Sequence, residues 1–136
     1  MKKYLFILLA LIVISACKKE EMSDKENVIV SKNQFDNASK DPFQFKEVTL
    51  TGDCLQVVIS YGGGCGDVEA LLIDSEGIDD SLPVQRYLRL SFQDEDLCEA
   101  LVEKELSFDL KPIQIQDENQ IKINLEGWDN PILYSY

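Results

Sequence analysis

The sequence predicts an all-β domain, an antiparallel two-sheet sandwich of immunoglobulin-like type with about seven strands, and three observations carry that expectation. Apolar and polar residues alternate over several short runs, as strands with one buried face require. Clusters of Gly, Asn, Asp and Pro separate the runs. All the runs lie between Pro42 and Tyr136, a length that suits one core and not two. A small barrel is the alternative closure.

The elements follow in chain order. Phe45 to Leu50 forms the first strand and Gly52-Asp53 its turn. Leu55, Val57, Ile59 and Tyr61 make an inward row that stops at Gly62-Gly63-Gly64. Val68 to Ile73 follows, ended by Glu76-Gly77, and then Leu88, Leu90 and Phe92 stand opposite Tyr87, Arg89 and Ser91. From Asp96 to Lys104 the period changes. Leu97, Cys98, Leu101 and Val102 are spaced one helical turn apart, and Asp96 with Glu99 has capping-box spacing, so a short helix is expected there. Leu106, Phe108 and Leu110 return to strand alternation, as do Ile121, Ile123 and Leu125. Gly127 and Asp129-Asn130-Pro131 turn the chain into a last strand, Ile132 to Tyr136.

Before this domain the chain opens with Lys2-Lys3 and an uninterrupted apolar run from Tyr4 to Ala16. As a helix that run reaches roughly 20 Å, short of the ~30 Å of bilayer hydrocarbon, so a spanning helix is not expected. Charged start, apolar middle and small residues at the end are the parts of a secretory signal. Ile14-Ser15-Ala16-Cys17 resembles the lipobox of bacterial lipoproteins. The resemblance implies that residues 1–16 are removed and that Cys17 carries the lipid, its acyl chains (palmitate or similar) holding the protein on a membrane. Lys18-Lys19-Glu20-Glu21 resembles the export signal that carries Bacteroidota lipoproteins to the outer face of the outer membrane. A surface location is therefore expected, with the periplasmic face of that membrane as the alternative. Residues 17–41 are polar and poor in aromatics and are read as the acylated cysteine and a flexible tether, although Val28-Ile29-Val30 is short enough for one extra strand.

Charge narrows the partners. The chain has 13 basic and 25 acidic residues and a formal charge of -12; losing Lys2 and Lys3 would take it to about -14. Such a surface repels phosphates, so nucleic acid is excluded as an expected partner, while a protein partner remains open.

Catalytic motifs are missing from the sequence. It contains no histidine, which removes Ser-His-Asp and Cys-His nucleophiles and imidazole ligation of zinc or copper. There is no Cys-x-x-Cys. Gly62-Gly63-Gly64-Cys65-Gly66 lacks the Gly-Lys-Ser/Thr that would make it a phosphate loop. Asp94-Glu95-Asp96 lacks the alternating donors of a calcium loop. No acid pair is singled out for glycoside hydrolysis. The expectation is no enzyme, no cofactor and no resident metal.

With Cys17 lipidated, Cys54, Cys65 and Cys98 remain in an oxidising envelope. A Cys65–Cys98 bridge would tie the expected helix to the sheet, leaving Cys54 as a small apolar residue; Cys54 with Cys65 and Cys54 with Cys98 are the competing pairs. Ser60-Tyr61-Gly62-Gly63-Gly64-Cys65, the later Cys98-Glu99-Ala100-Leu101 and Leu106-Ser107-Phe108-Asp109-Leu110 resemble a group of small Bacteroidota lipoproteins of unknown function. That resemblance supports pairing Cys65 with Cys98 and implies no activity. Where the group carries a histidine and an aromatic after the turn cysteine, this chain has Val68 and Ala70.

The functional expectation is a lipid-anchored, non-catalytic binding or structural module, an accessory to a surface assembly. The alternative is a surface-displayed inhibitor of a host or competitor enzyme, presenting Ser75 to Ser81 or the turn Trp128-Asp129-Asn130. Trp128, Tyr134 and Tyr136 are the expected binding residues, provided they form an exposed aromatic patch.

Overall fold

The computed structural model describes residues 25–136. The expected signal segment 1–16, the expected lipidation site Cys17 and the expected export motif lie outside the described residues. The architecture is a two-sheet β-sandwich with no closed barrel. Among the described residues its strands are β1 (Glu26–Asn27), β2 (Ile29–Val30), β3 (Gln44–Thr51), β4 (Cys54–Gly63), β5 (Val68–Asp79), β6 (Val84–Asp94), β7 (Ala100–Asp109), β8 (Gln120–Leu125) and β9 (Ile132–Ser135). One helix, α1 (Lys32–Asp36), and a 3-10 turn (Lys111–Ile113) complete it.

The first sheet has the order β1-β7-β4-β3 and the second β2-β5-β6-β8-β9. Both are mixed, because β1–β7, β2–β5 and β6–β8 pair in parallel. The remaining neighbours are antiparallel, as expected. All seven expected strands are present. The inward rows meet between the sheets: Leu55, Val57 and Ile59 from β4 and Phe108 from β7 face Leu72, Leu88, Phe92, Ile121 and Ile123, all buried. Each such side chain contributes about 1.5 to 3 kcal/mol on leaving water, so the alternating rows are a main source of the attraction between the two layers.

Three expectations need correction. Residues 96–104 are not helical; Glu95–Glu99 is an irregular connection and β7 begins at Ala100. The only helix among the described residues is α1, capped by Ser31, whose Oγ accepts from the Gln34 amide at 3.3 Å. The tether read into residues 17–41 cannot extend past residue 24, because 25–41 carry β1, β2 and α1, and α1 packs against β5 and β6. Ser75 to Ser81 is not a loop throughout, since β5 continues to Asp79 across an irregularity between Asp74 and Ile78.

The inward rows are interrupted once. Asp74 on β5 and Arg86 on β6 are both buried, and Nη1 of Arg86 donates to Oδ1 of Asp74 at 2.8 Å. Oδ1 also accepts from the Glu76 amide at 2.8 Å. Asp74 Oδ2 and Arg86 Nε have no hydrogen-bond partner. Burial pushes the Asp74 carboxyl up, and the Arg86 charge opposes that shift.

Candidate functional site

Two connections cross between the sheets at the same end of the sandwich. Gly63 pairs with Ala100 and Val68 with Asp94, so the β4–β5 and β6–β7 connections lie side by side. Cys65 and Cys98 join them in a disulfide with Cα atoms 5.7 Å apart. Among the described residues Cys54 is the free cysteine, buried, with Sγ 3.0 Å from Ser107 Oγ.

A second fastening lies beside the disulfide. Oδ2 of Asp96 accepts three consecutive backbone N–H groups, from Gly64 at 2.7 Å, Cys65 at 2.8 Å and Gly66 at 2.9 Å. Oδ1 accepts from the Cys98 amide at 2.9 Å. Converging amides of this kind form an anion-binding concavity. Here the chain's own carboxylate fills it, and glycine allows it to form. Gly64 sits at φ +113°, and a Cβ on Gly63 would come within 2.6 Å of the Tyr61 ring. The residues of the expected capping box are thereby redirected, because Asp96 binds these amides instead of starting a helix.

The same geometry excludes two other roles. The amides that would cradle a phosphate are occupied. Cys65, Asp96 and Cys98 place their ligand atoms within 4.8 Å of one another, the one such metal-capable cluster among the described residues. Bridged sulfurs offer no thiolate, however, and each Asp96 oxygen already accepts hydrogen bonds. Asp94 is also engaged: its amide donates to Asp41 Oδ2 and its Oδ1 accepts from the Asp96 amide, each at 2.8 Å.

The amides of Cys98 and Cys65, followed by those of Gly66 and Gly64, hold the Asp96 carboxyl below its ordinary range. A depressed folded-state pKa means that the fastening contributes above the ordinary carboxylate pKa of ~3.9 and is lost as pH falls through the lower folded value. In a ¹⁵N NMR titration the Gly64, Cys65, Gly66 and Cys98 amides should shift together with a midpoint below ~3.9. A midpoint at or above that value would show that the carboxylate is not held as described.

The fastened end is not bare of apolar groups. Leu97 is 97% exposed and Leu101 82% exposed, and exposed Glu95, Glu99 and Glu103 flank them. A lone exposed leucine is ordinary on a protein surface. This one stands on a connection fixed by a disulfide one residue later and by a four-bonded carboxylate one residue earlier.

The aromatic patch expected from Trp128, Tyr134 and Tyr136 does not form. Tyr134 is 0% exposed; its hydroxyl donates to Asp53 Oδ1 at 2.6 Å and accepts from Gln114 Nε2 at 2.7 Å. Burial, and then the hydrogen bond donated to Asp53, push its phenol up. The cause is register: Tyr134 pairs with the inward Ile121 and turns inward with it. Tyr136 is half-buried, its ring 4.9 Å from that of Tyr134 and its hydroxyl accepting the Ile115 amide at 2.8 Å. Trp128 is half-buried and edge-on to Phe45.

The sandwich is found in other proteins. It superposes on crystal structures of a protein of unknown function, DUF1344, from Bacteroides vulgatus (18% identity, TM-score 0.57) and a NigD-like immunity protein from Bacteroides caccae (13%, 0.57). A toxin-related protein from Parabacteroides distasonis also matches (13%, 0.52). The alignments cover 82%, 80% and 82% of this chain but only 56%, 57% and 60% of those chains. At these identities the shared property is the fold. No family model and no curated protein matches the sequence.

Proposed function

We propose that this protein is a non-catalytic binding module of the bacterial envelope that neutralises a protein partner through its fastened end. The observation that carries the reading is Leu97, fully exposed on a connection held by the Cys65–Cys98 disulfide and by Asp96. A loop already fixed in one conformation gives up little entropy on docking, which is how a small domain gains affinity from a short contact. The names of two fold neighbours, one an immunity protein and one toxin-related, favour the inhibitor reading over a purely structural accessory. In this reading lipid on Cys17 holds the module at the outer membrane, facing outward. Only residues 17–24 then separate lipid from the described domain, roughly 26 to 29 Å at full extension.

The test is site-specific photocrosslinking in intact cells of the producing bacterium. A photoreactive residue at position 97 should give one dominant protein adduct. The same residue at Leu82, which is 98% exposed but lies on the β5–β6 turn, away from the disulfide and Asp96, should give none. The Leu101→Asp change should abolish the adduct at position 97 while leaving the circular dichroism unchanged. Equal adducts at 97 and 82, or none at 97, would defeat the reading.

A further inference from the structure

A second feature lies away from the fastened end and is independent of the reading above. A cleft of about 420 Å³ opens between α1, β6 and the β8–β9 turn. Its size falls within the ~300 to 1,000 Å³ of small-molecule sites. Three aromatic residues from three separate elements line it: Phe35 on α1, Tyr87 on β6 and Trp128 after β8. Buried Leu88 and Leu125 add apolar wall. No ring contact joins Phe35, Tyr87 and Trp128 to one another among the described residues, so they line the space without closing it by stacking.

The charged lining residues are Glu126 and Asp129; none is basic. Glu126 is paired with Arg89, whereas Asp129 is exposed and has no ion pair among the described residues. The Arg89 charge is committed. Its Nε donates to Glu126, its Nη1 donates to the Phe35 carbonyl, and its guanidinium carbon stands 4.2 Å from the Phe35 ring centroid. Aromatic faces attract cations, and organic ammonium groups are recognised by several rings arranged around them. With Glu126 paired to Arg89, Asp129 supplies the uncompensated negative charge, which strengthens that preference and opposes an anion.

We infer that the cleft lined by Phe35, Tyr87 and Trp128 binds an organic ammonium group, either a small quaternary amine or a lysine side chain presented by a partner. Its methyl or methylene groups would lie against the rings and leucines, with the charge toward Asp129.

Trp128 is the chain's only tryptophan, so its fluorescence reports on this cleft. Choline, Nα-acetyl-lysine methylamide, the neutral choline isostere 3,3-dimethylbutanol and methyl glucoside are titrated separately, with saturation-transfer NMR on each ligand as the second readout. Choline or the lysine amide should give a saturable change, and the isostere should bind about tenfold more weakly. The stronger of the two cations identifies the source. Asp129→Asn should weaken the cation about threefold to tenfold and leave the isostere unchanged; Tyr87→Leu should weaken both. Absence of saturable fluorescence and of saturation transfer with both cations would overturn the inference. So would equal binding of the isostere, or a response confined to methyl glucoside, which would mark a sugar site.

Discussion

Asp74→Ala is expected to cost about 3 to 5 kcal/mol, because it leaves the Arg86 guanidinium buried without its counter-charge. Domains of this size have about 5 to 15 kcal/mol in all, so the variant should unfold at much lower urea or be largely unfolded without it. The pair itself is a poor source of stability. Asp74 Oδ2 and Arg86 Nε lack partners, and a buried polar atom left unsatisfied costs about 1 to 3 kcal/mol. The double change Asp74→Leu with Arg86→Met should therefore recover at least half of the loss. The value of the carboxylate is local, since it also holds the Glu76 amide where Glu76 takes φ 62° and β5 shifts register. Urea unfolding of both variants decides the matter. A single variant within about 1 kcal/mol of the parent would mean that water reaches Arg86 and that the pair is not dry.

Removing the disulfide should have an effect of similar size by a different route. Cys65 and Cys98 are 33 positions apart, and closing a loop of that length restricts the unfolded chain by roughly 3 to 4 kcal/mol in the chain-entropy model. The double change Cys65→Ala and Cys98→Ala is the appropriate variant, because either thiol left alone invites exchange with Cys54. The unfolding free energy extrapolated from urea titration should fall by that amount. The folded state should change little, since Asp96 still gathers the Gly64, Cys65 and Gly66 amides. Large NMR shifts at these amides in the folded variant would show that the disulfide, and not the carboxylate, shapes the connection. A loss below about 1 kcal/mol would show that the unfolded chain is already compact.

The seven long strands were legible because their rows are plain, with Leu55-Val57-Ile59 and Ile121-Ile123-Leu125 each presenting one apolar face to the core. The helical spacing at 96–104 has a specific origin. Leu97 and Leu101 create a helical spacing, yet both point to solvent, so no buried stripe existed to be counted. The polar partner of the capping pattern, Asp96, serves amides more than thirty residues back in the chain, a contact that spacing alone does not reveal. β1 and β2 were harder still, because two residues have no period, and Val28 between them is the only apolar anchor with a clear signal. At the candidate end, the glycine turn and the cysteines stood out in the sequence. The exposure of Leu97 did not, and neither did the inward turn of Tyr134, which depends on its register with Ile121. The cleft has no signature in the sequence because Phe35, Tyr87 and Trp128 are far apart in the chain and line one space only once α1 folds onto the second sheet.

The short strands at the start of the domain have a mechanical consequence. Within five residues the chain pairs Glu26-Asn27 with β7 of one sheet, buries Val28, and pairs Ile29-Val30 with β5 of the other. The segment works as a rivet through the seam of the sandwich. A pull arriving from the N-terminal side does not peel one edge; it loads both layers together through parallel ladders. Freeing the leading segment then requires breaking hydrogen bonds on both sheets and withdrawing Val28 into water, so tension is spread over the body before any strand of the core feels it alone.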